Sequence, residues 1–152
     1  MHAFMLWQAF LQNVNPLSKL IHAPLVQDQV VEASRDFNAM PRDSIALLFA
    51  IYAAAVMSWK EDECRSKMGE PRRTLHSRYL AATQQALIAA GFIQSVSLVV
   101  LQAFAVFLVS CAPLSNCLRN ERSSLSSSQH VHVLTPKPYG FSQEWLFGWA
   151  RD

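Results

Sequence analysis

From Tyr79 to Leu118 the chain runs for forty residues without a single Asp, Glu, Lys or Arg. An interval of that length has to be shielded from water by other protein or by lipid, because charged side chains are what normally hold a segment at a solvated surface. A second uncharged stretch, Ser44 to Trp59, sits between the 43 opening residues, which carry seven charges, and the segment Lys60 to Arg78, which carries ten. The chain has 152 residues, enough for one domain, and a chain of this size removes roughly 70% of its unfolded surface from water. Only 16% of the residues are charged and 51% are apolar, which argues against wholesale disorder. A net charge of +2 is too small for a nucleic-acid footprint, which needs Lys and Arg concentrated on one face.

Periodicity predicts helices on both sides of these stretches. Phe4, Trp7, Phe10, Leu11 and Val14 recur at threes and fours and make one apolar stripe. Asn15-Pro16 closes that helix and opens the next turn as N-cap and N1; Leu17, Leu20 and Ile21 continue on a short helix that Pro24 interrupts. From Pro24 to Ala33 a further stripe combines Leu25, Val26, Val30 and Val31. Ser44 to Trp59 is rich in Ala and Leu and apolar all round, which predicts a central core helix capped by Asp43 or Ser44. Lys60 to Pro71 reads as a solvated connection with one helical turn around Cys64 and Met68. Arg72 to Ala90 follows as an amphipathic helix, with Leu75, Tyr79, Ala82 and Ala86 aligned and Gly91 as its C′ residue. Its alanines suit antiparallel packing on a last helix, Ser95 to Cys111, whose length outweighs its β-branched content.

Ala112-Pro113 is expected to end that helix. The remainder, 112–152, reads as a Ser-rich tail expected to be disordered, with one short strand at Val131 to Leu134 and an aromatic cluster of Trp145, Leu146, Phe147 and Trp149. The opening residues lack the positive n-region of a signal peptide. The fold class predicted is all-α, an irregular bundle of five to six helices over residues 4–111. Its core is expected to hold Leu48, Phe49, Ile51, Tyr52, Leu98, Leu101, Phe104 and Phe107.

Candidate chemistry is sparse. Cys64, Cys111 and Cys117 have no Cys-x-x-Cys spacing and read as reduced thiols, although Cys111 and Cys117 straddle a helix end and could form a redox pair. His22 is a capping or packing residue with no acid, Ser or Cys at a spacing that marks a catalytic partner. His130 and His132 share one face if extended, and two ligands do not complete a metal site. Arg72, Arg73, His76 and Arg78 form one basic cluster at a helix start that could receive a phosphate or an acidic partner. No glycine-rich phosphate loop, nucleophile elbow or metalloprotease motif occurs. No catalytic, cofactor-binding or metal-ligating residue is therefore assigned, no cofactor is expected, and no enzymatic activity is predicted. The rival to a water-soluble bundle is a small membrane-associated helical protein using the 95–114 apolar segment, which approaches the ~20 residues a bilayer requires. Gln94, Ser95, Ser97 and Gln102 interrupt that segment, and aromatic belts with adjacent Lys or Arg are missing on at least one side.

The residues also carry a resemblance in order along the chain. Leu6-Trp7-Gln8-Ala9-Phe10, Val14-Asn15-Pro16-Leu17 and Lys19-Leu20-Ile21-His22-Ala23-Pro24 form one block, and Ala46 to Val56 a second. Cys64, Gly69-Glu70-Pro71, Tyr79, Ala86-Leu87 and Leu98 to Phe104 form a third. Together they resemble the N-terminal half of the fungal-specific transcription factor domain, the regulatory middle region of binuclear zinc cluster transcription factors. The resemblance implies an all-helical receiver of metabolite or partner signals in a fungal nucleus, with no catalysis. In that family zinc and DNA belong to a separate six-cysteine module, which the three cysteines of this sequence cannot supply, so no direct nucleic-acid contact is expected. The family's later Arg, Gly-Leu-His and acidic blocks are not found after the Leu-Gln-Ala-Phe helix, which implies a truncated relative, or a gene model that reads out of frame or through an intron, with an unrelated tail. With part of the helical layering missing, the outer faces of Ser44–Trp59 and Ser95–Cys111 are expected to be sticky. Protein partners, self-association or a small apolar effector held between helices are the expected contacts.

Overall fold

In the computed structural model, residues 2–36 and 39–124 are described, with side chains as far as Cys111. Among them the fold is all-α. The helices are α1 (His2–Asn13), α2 (Asn15–Ser18), α3 (Ala23–Arg35), α4 (Arg42–Ser58), α5 (Glu61–Met68), α6 (Arg72–Ala89) and α7 (Leu98–Ser124). The expected five or six become seven because the connection 61–68 is itself a helix, while the short helix expected after Asn15 is the single turn 15–18. The reason is plain in α5: Glu61 to Arg65 and Glu63 to Lys67 are i,i+4 ion pairs, acid preceding base, and Glu63 accepts from the Lys60 N–H at 3.0 Å. Gly69, left-handed at φ +73°, closes the helix.

Helix α4 is the axis of the molecule. From Ala46 to Val56 every side chain is buried, and α1, α6 and α7 all lie against it. An apolar helix with no polar face has to be enclosed in this way. The expectation that α4 keeps a sticky outer face is therefore corrected. Helices α6 and α7 meet as the alanines suggest, with His76 near the start of α6 reaching the Ser110 backbone of α7, but each packs more extensively on α4 than on the other.

Polar ties fix the two ends. At one end the Arg42 guanidinium donates to the Ala89 carbonyl at 3.3 Å, and Ser97 Oγ donates to Asp43 Oδ2 at 3.2 Å. The start of α4 is thus bound to the end of α6 and to the turn leading into α7. Helix α4 begins at Arg42 with Pro41 in the N-cap position, so Asp43 lies inside the first turn rather than capping it, and its Oδ1 accepts from the Ser44 N–H at 2.8 Å. At the other end Asn13 donates to Ser58 Oγ at 3.0 Å and Arg72 to the Trp59 carbonyl at 3.0 Å. Gln102 donates to the Leu20 carbonyl at 2.9 Å, joining α7 to the connection after α2.

The turn after α6 has the form its glycine predicts. Gly91 is left-handed at φ +64°, its N–H donates to Ile88 O at 3.0 Å and the Phe92 N–H to Leu87 O at 3.1 Å, the paired bonds of a Schellman motif. Helix α7 then departs from expectation twice. Ser95 to Ser97 is a lead-in, with Ser95 Oγ accepting from the Ser97 N–H at 3.2 Å, so the helix starts at Leu98. It also continues to Ser124, past the stop expected at Ala112-Pro113. A proline inside a helix costs about 3 kcal/mol and withholds one donor, but it is only a probable stop when helix-forming sequence resumes behind it. The expected strand at Val131 to Leu134 and the aromatic cluster lie outside the described residues.

The core contains Leu48, Phe49, Ile51 and Tyr52 as expected, together with Leu6, Trp7, Phe10, Cys64, Leu75 and Leu87. On α7 the expected face is out of phase. Leu98 and Leu101 are 68% and 54% exposed, Phe104 and Phe107 are half-buried, and the residues facing α4 are Val100, Ala103, Val106 and Ser110. An uncharged helix gives no polar side from which to read its rotation.

Candidate functional site

The basic cluster at the start of α6 is dispersed by the fold. Arg72 is spent on the Trp59 carbonyl, at the C-terminal, partly negative end of α4. Arg78 makes a two-pronged pair with Glu70, at 3.0 and 2.7 Å. Arg73 is exposed, and His76 is buried against α7. No converging phosphate cradle results. The Glu70–Arg78 pair escaped sequence reading because its partners are eight residues apart across the break at Pro71, a spacing that carries no helical signal.

Burial governs the titratable groups around this pair. It pushes the Cys64 thiol up, and the carboxylates of Glu61 and Glu70 add to that while Arg72 opposes it, so Cys64 is held as an un-ionised, weakly nucleophilic thiol. Tyr52 and Tyr79 meet edge to face with ring centres 5.8 Å apart, and burial raises both phenols. For His76 the direction reverses: burial lowers its pKa, the Arg72 charge lowers it further, and the Ser110 backbone partly offsets them. Its Nε2 is buried with no hydrogen-bond partner among the described residues.

His22 occupies the N-cap position of α3 without a side-chain cap bond. Cys111 is a free, half-buried thiol raised by burial. His130, His132 and the Cys117 side chain lie outside the described residues. Among the described residues no group of three or more His, Cys, Asp or Glu could hold a metal ion, and no helix is long and apolar enough to cross a membrane.

Two surface features remain. One is a cleft of about 310 Å³ between α1 and α5, lined by Phe4, Gln8, Gln12, Asn13, Trp59 and Lys67 among others. The Lys67 ammonium stands 4.8 Å from the centre of the Trp59 ring, a cation–π contact, and 3.9 Å from Glu63. The cleft sets carboxamides and an ion pair beside the apolar Phe4, Met5, Ala9 and Trp59. The other is the outer side of α7 with the turn before it, where Ile93, Val96, Leu98, Leu101, Leu108 and Val109 stand exposed. Such concentrations of aliphatic side chains mark contact surfaces more often than chance.

The sequence has relatives among known fungal proteins. It is 48% identical over 109 residues to the aurofusarin cluster transcription factor aurR2 of Gibberella zeae, a match covering 72% of this chain and 16% of that protein. It is 33% identical over 147 residues to the transcriptional regulator AacuB of Aspergillus aculeatus, covering 97% of this chain and 19% of the relative. It is 40% identical over 109 residues to the pyriculol/pyriculariol biosynthesis cluster transcription factor 1 of Pyricularia oryzae, covering 72% and 15%. Its relatives are fungal transcription regulators. A more distant one, 31% identical over 107 residues, is the C6 finger domain transcription factor nscR of Arthroderma gypseum, with 69% of this chain and 15% of the relative covered. No protein-family model matches the sequence, and no solved structure does.

These relatives are named as regulators, not as enzymes, and the chain spans less than a fifth of their length. The match to AacuB reaches 147 of the 152 residues and therefore includes much of the Ser-rich segment and the aromatic cluster. The expectation that the tail is unrelated to these regulators is corrected by that match.

Proposed function

We propose that this chain is a helical segment of the regulatory middle region of a fungal zinc-cluster-type transcription factor, acting in the nucleus through protein contacts, with DNA binding left to a module of different sequence. The observation that carries the reading is the 48% identity to aurR2 over 109 residues. Supporting it, four of the elements that the sequence blocks touch, α1, α4, α6 and α7, pack together around α4. Protein contacts are favoured over an apolar effector held between helices because the aliphatic surface of α7 is exposed, while the α1–α5 cleft mixes polar and apolar groups.

The test is a transplant. In aurR2 the matched segment is replaced by this chain's, and transcripts that depend on that factor are measured alongside its nuclear level by immunoblotting. Retention of at least half the parental transcription is expected. A chimera present in nuclei at the parental level but as inactive as a deletion of the segment overturns the proposal.

A further inference from the structure

We infer that the cleft between α1 and α5 is a binding site for a small neutral hydroxyaromatic molecule, whose hydroxyl sits between Glu63 and Lys67 while its ring covers Phe4 and Met5. The cleft holds about 310 Å³, at the lower end of the roughly 300–1,000 Å³ of small-molecule sites, which sets the ligand at one or two fused rings.

The walls follow from helix spacing. Phe4, Gln8 and Gln12 stand at steps of four on α1, with Met5 and Ala9 in the row beside them, and Glu63 and Lys67 are one such step apart on α5. Trp59, only 4% exposed, forms the floor. Apolar and polar groups are segregated along α1: Phe4 and Gln12 are separated by about 12 Å at 1.5 Å per residue. Phe4 is 53% exposed, so a ring laid against it removes apolar surface that water now covers. A flat aromatic ring suits this end better than an aliphatic chain, because it can pack on the Phe4 ring and the Met5 thioether together.

The polar groups are positioned but uncommitted. Among the described residues no hydrogen bond engages the Lys67 ammonium or the carboxamides of Gln8 and Gln12. The ammonium is held over the Trp59 ring, 4.8 Å from its centre, and stands 3.9 Å from Glu63 Oε1, too far for a hydrogen bond. An oxygen about 2.8 Å from each atom closes that gap: a hydroxyl placed there accepts from the ammonium and donates to the carboxylate. Glu63 Oε2 already accepts from the Lys60 N–H, which fixes the orientation of the carboxylate. One cation and one anion face the cleft, so it selects no net charge. A carboxylate ligand gains Lys67 but meets Glu63, whereas a hydroxyl satisfies both. The two carboxamides can serve a second oxygen on the ring as donor or acceptor. Solvent screens the pair, because both side chains are more than two-fifths exposed; ring burial therefore supplies most of the affinity and the pair supplies the preference for a hydroxyl. The site requires nothing of the regulatory role proposed above, and its test reads binding heat rather than transcription.

The full 152-residue chain is titrated with 2-naphthol and with 2-naphthoate by isothermal calorimetry at neutral pH, as parent, Lys67→Met, Glu63→Gln and Leu25→Ala. All three positions are exposed, so helicity by far-UV circular dichroism is expected to stay at the parental level. The parent is expected to bind one molecule of 2-naphthol with a Kd on the order of 0.2 mM, the range open to a ligand of that size, and to bind 2-naphthoate at least about fivefold more weakly. Lys67→Met is expected to weaken 2-naphthol binding at least about fivefold. Glu63→Gln removes the anion and is expected to reverse the order, so that 2-naphthoate binds more tightly than 2-naphthol. Leu25→Ala, on α3 and outside the cleft, is expected to change neither affinity. No saturable binding of 2-naphthol up to about 2 mM overturns the inference. So do a parent that prefers 2-naphthoate and an affinity indifferent to both cleft substitutions, which places the molecule on another surface.

Discussion

Replacing Leu48 by Ala tests the central claim of the fold, that α4 is enclosed on every side. Leu48 is fully buried in the middle of the helix. The substitution deletes three carbons, worth about 2.4 kcal/mol at about 0.8 kcal/mol per buried carbon. The neighbours on α1, α6 and α7 are tied at both ends of α4 by side-chain hydrogen bonds and cannot close fully over the gap, so a cavity contribution brings the expected loss to about 3–4 kcal/mol. Against a total stability of about 5–15 kcal/mol, that lowers the melting temperature by roughly 10–15 °C. Helix propensity cannot account for such a loss, because alanine is the better helix former. The assay is urea unfolding followed by far-UV circular dichroism, with the m-value expected to be unchanged. Leu25→Ala serves as the comparison. It makes the same chemical change at a residue 65% exposed on α3 and is expected to cost no more than about 0.5 kcal/mol. A loss below about 1 kcal/mol at Leu48, or equal losses at the two positions, refutes the enclosure of α4.

Ala54→Leu probes the same enclosure from the opposite direction: Ala54 is fully buried, so the added carbons are expected to overpack the core and cost about 1–3 kcal/mol in the same urea assay. His76 makes stability depend on pH with a defined sign. Its pKa is lowered in the fold, so below about pH 6.5 the unfolded chain binds a proton that the native state resists, and stability falls as pH falls through that value. His76→Gln should lower the parent's slope of urea midpoint between about pH 7.5 and 5.5; an unaltered slope counts against the buried neutral imidazole. The Glu70–Arg78 pair is one-third exposed on both sides, so a double-mutant cycle with Glu70→Gln and Arg78→Ala should return a coupling of only about 0.5–1 kcal/mol after solvent screening. Gly91→Ala meets no atom within 4 Å, so its expected cost of about 1 kcal/mol comes from the left-handed backbone alone, and Gly91→Asn should recover part of it in thermal melts.

Much of the candidate surface was hidden in the sequence for one reason. The uncharged run from Tyr79 to Leu118 announces burial but not direction, so Leu98 and Leu101 were placed inward when they face out, and Val100 and Val106 turned out to be the core side of α7. The α1–α5 cleft joins residues some fifty positions apart, such as Gln12 and Lys67, and no local spacing signals such a meeting. Where a local rule acts alone, sequence reading succeeded: Gly91 closes α6 as a left-handed residue, and Trp7 and Phe10 lie on the buried stripe of α1.

The amino-acid order by itself determined that this protein is helical and that Ser44 to Trp59 lies at its centre, because composition, periodicity and caps act within a few residues along the chain. Tertiary structure decided what those signals cannot reach. It set the rotation of α7, the enclosure of α4 by three helices, the dispersal of the basic cluster onto Trp59 and Glu70, and the path of α7 beyond Pro113. Each depends on which surfaces meet across large separations in sequence, and that is settled by packing between helices rather than by the conformational preference of any one of them.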